Sequence, residues 1–385
     1  MFIQTTLNRN RELIDWALYA QRTGLISPNT YVIDIDTVAQ NAAHMKNCAD
    51  KQGLELYMMT KQFNRNPLVC GAIADCGIKK AVAVSLDGAR VLKKQGIEIG
   101  HLGHLVQIPE RDMDEALDME PEVMTAMDYA NAEKISRHAA AKGLRQDILL
   151  RIYGEDDVVY KQQRGGISLE ELEDMIARVR RLPGVNLAGF TAFPCFHLDR
   201  EKRITVATPN YKTLLKAGEI GRGCGVEIKQ LNAPGGNLSG MFEKIARDGV
   251  THLEPGHAFT GTTYQNAVDD SCAEKPAIVY LTEVSHNWRD RSCVFGGGFY
   301  GRAQINHAVI AGEKGPELVP AYPVEPGNID YYAELGCVKP VGTGLVYAFR
   351  TQMFMTHSDI AIVSGLSSGK AELAGLYDVN GIRLK

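Results

Sequence analysis

Eight short apolar runs, each separated from the next by a segment with helical character, constrain this chain more than any other feature. They occupy 54–60, 81–85, 101–107, 123–127, 147–153, 187–193, 227–233 and 250–254. Runs this short and this apolar suit strands covered on both faces. Their starts lie 27, 20, 22, 24, 40, 40 and 23 residues apart, room enough each time for the crossover helix that parallel strands need. The intervening segments carry helix signals. Ser168-Leu169-Glu170-Glu171 is a capping box, and Leu169, Leu172, Met175, Ile176 and Val179 then share one face. Asp128 can cap a helix running to Gly143, and Thr208-Pro209 puts proline at a first helical position. The pattern predicts a (β/α)8 TIM barrel, with a doubly wound open sheet as the alternative.

After residue 262 the texture changes. Strand-like runs at 277–284, 292–295, 346–354 and 360–363 follow one another with Gly and Pro between them, which predicts an additional β-rich domain. Residues 8–23 look helical, and 31–36 reads as a strand that joins the β domain or bridges the two. The expected division is 1–28, a segment packed with the β domain; 29–262, the barrel; and 263–385, the β-rich domain.

Composition narrows the function. The 385 residues suffice for a large core, and 45% hydrophobic with 23% charged residues excludes a disordered chain. With 42 basic against 46 acidic residues and no dense basic run, neither nucleic acid nor an anionic membrane is an expected partner. No run is long enough to span a bilayer, and the first residues hold no apolar signal region, so the expected location is cytoplasmic. The eight cysteines form no CxxC and read as buried apolar residues, not as bridges or a zinc site.

In such a barrel the chemistry sits at the C-terminal strand ends. Lys61 closes the first run; desolvation there lowers an amine's pKa and makes it a nucleophile able to form a Schiff base, while the alternative is a lysine reaching solvent. The seventh run leads into Asn232-Ala233-Pro234-Gly235-Gly236-Asn237-Leu238-Ser239-Gly240, and the eighth into Glu254-Pro255-Gly256-His257. Loops after strands seven and eight recur as phosphate sites, where glycines admit close backbone approach. Ordinary glycine-rich turns are the alternative.

These residues carry a resemblance. In order and spacing, residues 29–262 are similar to the fold-type III pyridoxal-phosphate enzymes, the class of alanine racemase and ornithine decarboxylase. Tyr31-Val32-Ile33-Asp34 resembles their entry strand, Lys61 their Schiff-base lysine, and Ser85-Leu86-Asp87-Gly88-Ala89 their second-strand turn. Arg164-Gly165-Gly166-Ile167 resembles their arginine segment, Gly235-Gly236-Asn237 their phosphate glycines, and Glu254-Pro255-Gly256 the decarboxylases' segment after strand eight. Within the class the chain is most similar to an uncharacterised alanine-racemase-like group.

The resemblance implies pyridoxal 5'-phosphate as cofactor. Lys61 would hold it as an aldimine, Arg164 would lie near its phenolic oxygen, and Arg65 would reach the phosphate where the racemases have a tyrosine. Gly235, Gly236, Asn237, Ser239, Gly256 and His257 would complete the phosphate loops. Glu254 would contact the ring nitrogen; the racemases proper place arginine there, which leaves that nitrogen unprotonated. Ala192 stands where a histidine is often found near the ring, and His197 follows it in a loop. Tyr300 is the candidate second acid/base. Cys337 and the His357-x-Asp359 pair are weaker candidates for a partner-facing thiol and a metal site. His101 and His104, on opposite faces if one strand holds both, read as non-ligands, and no metal is expected. The implied function is a racemase or epimerase acting on an amino acid or analogue as a homodimer. Decarboxylase or lyase chemistry, or a non-catalytic cofactor carrier, is the alternative.

Overall fold

The computed structural model describes residues 2–301, 303–313, 315–325 and 327–385. Its chain groups into two units: Met45–Thr60 with Ala74–Gly256, and Met1–His44 with Lys61–Ile73 and His257–Lys385. The first unit is narrower than the 29–262 read from sequence, because Thr30–Asp34 pairs into the second unit's sheet.

The first unit is a parallel barrel. From Met58–Met59 the sheet runs through Lys80–Ala83, Glu98–Leu102, Val123–Ala126, Gln146–Tyr153, Val185–Thr191, Gln230–Asn232 and His252–Leu253 to Glu55–Leu56. The end segments, Glu55–Leu56 and Met58–Met59, are halves of one strand broken at Tyr57, so the sheet returns to its start. Backbone bonds from Glu55, Tyr57 and Met59 to Thr251, Leu253 and Pro255 carry the closure along that strand's length. Seven of the eight runs read from sequence lie on these strands with small end shifts. The third strand is Glu98–Leu102, not 101–107. Glu98 and Gly100 interrupt the apolar run and hide the strand's start. Gly100 is required there, since a Cβ would stand 2.5 Å from the Tyr57 ring. Gly189 is required for a harsher reason: its φ is +153°, and a Cβ would lie 1.8 Å from the Gln230 carbonyl of the next strand.

The helices begin where capping chemistry allows. Asp128 accepts from the Asn131 N–H at 2.7 Å and starts Tyr129–Ala141. Ser168 accepts from the Glu171 N–H at 3.3 Å, with helix Leu172–Val179 beyond.

The strand starts carry a polar floor. Gln230 Nε2 donates to Tyr57 Oη at 2.8 Å and to Glu122 at 3.3 Å, and Lys80 pairs with Glu122 at 2.6 Å. The His252 ring packs on Tyr57, centroids 5.2 Å apart. Burial, the largest influence, holds His252 down at about 4, against an ordinary 6.5. The unfolded chain therefore binds a proton between these values that the folded barrel refuses. Stability contributed by neutral His252 is present above pH 6.5 and falls as the pH drops toward 4, by about 3 kcal/mol. Urea unfolding followed from pH 7 to 4.5 should show this loss, and His252→Gln should flatten that part of the profile.

The second unit is built on an antiparallel sheet. Its order is Arg291–Phe295, Tyr332–Leu335, Gly315–Tyr322, His307–Gly312, Gly344–Tyr347, Ile278–Trp288, Thr30–Asp34, Asp359–Ser364, Glu372–Tyr377. Ile278–Trp288 also pairs with Arg291–Phe295, and only Thr30–Asp34 with Asp359–Ser364 is parallel among the described pairs. Helices Phe2–Arg9 and Arg11–Arg22 supply Phe2, Leu13, Ile14 and Ala17 to a core shared with Val32, Val279, Leu281, Val346 and Val363. Burying a side chain such as Leu13 or Ile14 contributes about 1.5–3 kcal/mol. Asn10 joins the two helices to the sheet. Its Oδ1 accepts from the Leu13 N–H at 3.3 Å, and its Nδ2 donates to Asp34 at 2.9 Å. Among the described residues no helix is long and apolar enough to cross a membrane.

Candidate active site

Successive barrel strands end in polar residues aimed away from the floor. The third offers His101, the fourth Thr125, the fifth Arg151, the sixth Thr191, the seventh Asn232, and the eighth leads directly into Glu254. All six are buried. Charged and polar side chains at such depth need partners. Glu254 has them on one side only. His101 Nδ1 lies 2.5 Å from Glu254 Oε1, and Asn232 Nδ2 donates to the same oxygen at 2.8 Å. His101 Nε2 lies 2.5 Å from Thr125 Oγ1. His104 Nδ1 stands 3.9 Å from Glu254 Oε2, and its ring meets the edge of Phe193. Burial alone would push the Glu254 carboxyl up. The charges of His104 and His101, with hydrogen bonds from His101 and Asn232, outweigh it and hold the group well below the ordinary carboxylate range.

The histidines were not foreseen as a pair. The third strand stops at Leu102, and Gly103 at φ +77° turns the chain, so the two rings lie 5.1 Å apart instead of on opposite faces. That glycine was the one signal that they could meet. The donor atoms of His101, His104 and Glu254 all lie within 4.8 Å, a spacing able to hold a metal ion. His101 Nδ1 is in hydrogen-bond contact with Glu254 Oε1, whereas His104 stands 3.9 Å from the other carboxylate oxygen.

Four buried atoms at these strand ends have no hydrogen-bond partner among the described residues: Glu254 Oε2, Asn232 Oδ1, Thr191 Oγ1 and Arg151 Nη1. Each such atom costs about 1–3 kcal/mol, so their clustering fits a site completed by a polar ligand. Glu254 Oε2, an acceptor beside a carboxylate charge, suits the N–H of a protonated pyridine ring.

The other expected residues fall as follows. Asn237 is spent locally: its Oδ1 accepts from the Glu254 N–H at 3.2 Å and its Nδ2 donates to the Ala233 carbonyl at 3.0 Å, clipping the seventh loop onto the eighth strand end. Gly236 has φ +61°, and a Cβ there would stand 3.3 Å from the Phe196 carbonyl, so the loop with Gly235 needs glycine. Ser239 opens the turn Ser239–Met241 and is buried, as is Gly256. Arg164 is exposed, whereas Arg151, which the sequence reading passed over inside an apolar strand, is buried with one N–H group unused. Ala192 is buried and His197 is exposed on the hairpin Phe196–Asp199 with Ile204–Ala207.

Lys61, Arg65, His257 and Tyr300 belong to the second unit. Lys61 opens the turn Lys61–Phe63 immediately after the first barrel strand, its Nζ 5.8 Å from the Phe354 ring centroid. Arg65 has φ +56° and donates to Asn64 at 3.0 Å. Both His257 nitrogens are engaged, Nδ1 with Thr262 at 2.9 Å and Nε2 with Gln352 at 3.3 Å. Burial, then the charges of Arg350 and Lys61, keep His257 neutral. Tyr300 is partly buried and lies in the electrostatic surroundings of Tyr31. Cys337 is partly buried, His357 is exposed, and Asp359 lies opposite Thr30 in the sheet.

Comparison with known proteins agrees with this architecture. Residues 33–263 match the family model of the alanine racemase N-terminal domain, and residues 279–373 that of the YhfX-like C-terminal domain. The uncharacterized protein YhfX of Escherichia coli (strain K12) is 37% identical over 380 residues, covering 98% of each chain. Among solved structures, D-threo-3-hydroxyaspartate dehydratase from Delftia sp. HT23 superposes with a TM-score of 0.66 at 16% identity, covering 90% of this chain and 97% of that one. Alanine racemase of Clostridium difficile 630, in complex with cycloserine, gives 0.66 at 14% identity, covering 91% and 98%. At these identities the two structures speak for the fold alone.

Proposed function

We propose, for a chain that belongs to the alanine racemase N-terminal domain family of fold-type III pyridoxal-phosphate enzymes, that it removes the α-proton of an amino acid or amino-acid analogue and returns it, as a racemase or epimerase. The observation that carries the reading is Glu254: a buried carboxylate, one oxygen held by His101 and Asn232, the other without a hydrogen-bond partner. Pyridoxal phosphate, when bound, supplies an electron sink for a bond broken at the substrate's α-carbon, and the sink is stronger with its ring nitrogen protonated. Glu254 Oε2 accepts that nitrogen's N–H and keeps the proton in place. Lys61 Nζ anchors the cofactor and, once released, takes and returns the α-proton from one side. Tyr300 Oη serves the other side. Arg164 and Arg65 hold cofactor oxygens, and Gly235, Gly236, Ser239 and Gly256 give the phosphate its backbone approach. His257, with both nitrogens committed, braces the chain beyond the eighth strand. The protein works as a homodimer in the cytoplasm. Glu254 also supports a second reading, decarboxylase or lyase chemistry, because both reactions draw on the same strengthened sink.

The test begins with the purified protein and added pyridoxal phosphate. Borohydride should fix the label on Lys61. Amino acids screened in deuterium oxide should exchange their α-proton, and for a racemase the deuterium should appear in both enantiomers. Carbon dioxide release or loss of a β-substituent instead would select the second reading. A protein that takes up no cofactor would overturn both.

A further inference from the structure

Glu254 should not be ionised on burial alone. A carboxyl with no accessible surface loses the hydration that favours its charged form, and the ring nitrogen's proton depends on that charge. Something on the barrel must supply the compensation, and two strands do so from far away in sequence. An ionised carboxylate is acceptor only, so the proton in the 2.5 Å contact belongs to His101 Nδ1. That fixes the imidazole tautomer and leaves Nε2 to accept from the Thr125 hydroxyl, also 2.5 Å away. Asn232 secures the same carboxylate oxygen from the seventh strand.

We propose that His101, oriented by Thr125, is a positioning residue that keeps Glu254 ionised and turns its second oxygen toward the cofactor's ring nitrogen. The proposal rests on the pyridoxal-phosphate reading above. It also explains how a chain with Ala192 at the sixth strand end manages without a histidine there: imidazoles enter from the third strand and its loop. The titratable groups facing Glu254 are His101 and His104, with Tyr57, His252 and Cys195 at longer range within the barrel. Burial keeps His252 neutral and Tyr57 and Cys195 protonated through neutral pH. His101 is therefore the titratable group in hydrogen-bond contact with Glu254, and its removal leaves Asn232 as the remaining donor to that oxygen.

Two measurements test this. The first uses the protein without cofactor. A low-field imidazole N–H proton resonance should be present; it should vanish in His101→Ala and move upfield in Glu254→Gln, where the acceptor loses its charge. The second uses the holoenzyme loaded with ring-15N pyridoxal phosphate. Its ring nitrogen should stay protonated through neutral pH. In His101→Ala the proton should leave at a pH lower by about one to two units, the scale of a lost hydrogen bond to a charged group. His101→Gln, which keeps an N–H donor, should recover part of the shift. Should His101→Ala not fold, Thr125→Val removes the other end of the chain at nearly constant volume and should move the nitrogen in the same direction. If Glu254→Gln strips the ring proton while the His101 and Thr125 variants leave it untouched, the positioning role is wrong and the reading of Glu254 stands. If Glu254→Gln also leaves it untouched, that reading fails first.

Discussion

Lys61→Ala should yield a folded protein that no longer retains pyridoxal phosphate after borohydride and has lost turnover by about 10^4-fold or more. On the proposed function, two roles go with one side chain: the covalent anchor and the base. The fold should survive. Lys61 is only partly buried, and the ring contact of its Nζ with Phe354 is worth about 0.5–1 kcal/mol, whereas the neighbours that fill space, Gln62 and Phe63, are untouched. Intact mass after reduction, read beside a thermal melt, separates the outcomes. A parent-like melt with no adduct is the expected result. Collapse of the melt would make Lys61 a structural residue, and an adduct retained on another lysine would move the anchor elsewhere.

Glu254→Gln should bind the cofactor and still lose about 10^2–10^3-fold in α-proton exchange. The amide keeps the shape, and its oxygen can still accept from His101 and Asn232. It cannot hold a proton on the ring nitrogen, so the loss is electrostatic, not steric. Exchange rate and the absorption of the bound cofactor, measured on the same sample, check this; parent-like exchange would remove Glu254 from the ring. Glu254→Arg is a different experiment. The racemases' arginine cannot simply be grafted here, because a buried cation would then face the donor groups of His101 and Asn232 with no anion beside it. An uncompensated buried charge costs about 3–5 kcal/mol, so that variant should be destabilised before its chemistry can be judged. On the proposed reading, Glu254 and the donors that hold it, His101 and Asn232, form one unit, and a change of reaction type along this fold would have to replace them together.

Much of the barrel was legible because a parallel strand covered on both faces is an apolar word bounded by helix signals. The third strand was misplaced for a reason of packing: Gly100 and Glu98 break the word, and only the Tyr57 ring pressing on Gly100 explains the glycine. The second unit was legible in kind but not in detail. Strands such as Gly315–Tyr322 alternate exposed and buried residues and carry little apolar signal of their own. Lys61 and Glu254 could be proposed from sequence because each follows a barrel strand, where the chemistry of such folds collects. His101, Thr125 and Arg151 could not, since a single polar residue in an apolar run looks the same whether it is a satisfied core residue or part of a site. Their meaning depends on barrel closure, which brings His101 against Glu254 across 153 residues of chain.

The eighth strand begins at His252 and leads into Glu254 two residues on, one kept neutral at the barrel floor and the other kept charged at its mouth. On acidification, the proton that His252 refuses in the folded barrel should weigh on stability before Glu254 takes one up. The acidic side of an activity profile would thus be a record of how much protein remains folded. Glu254 would go through that range unaltered, so a stabilised floor should widen the pH range over which the protein works without any change at this carboxylate.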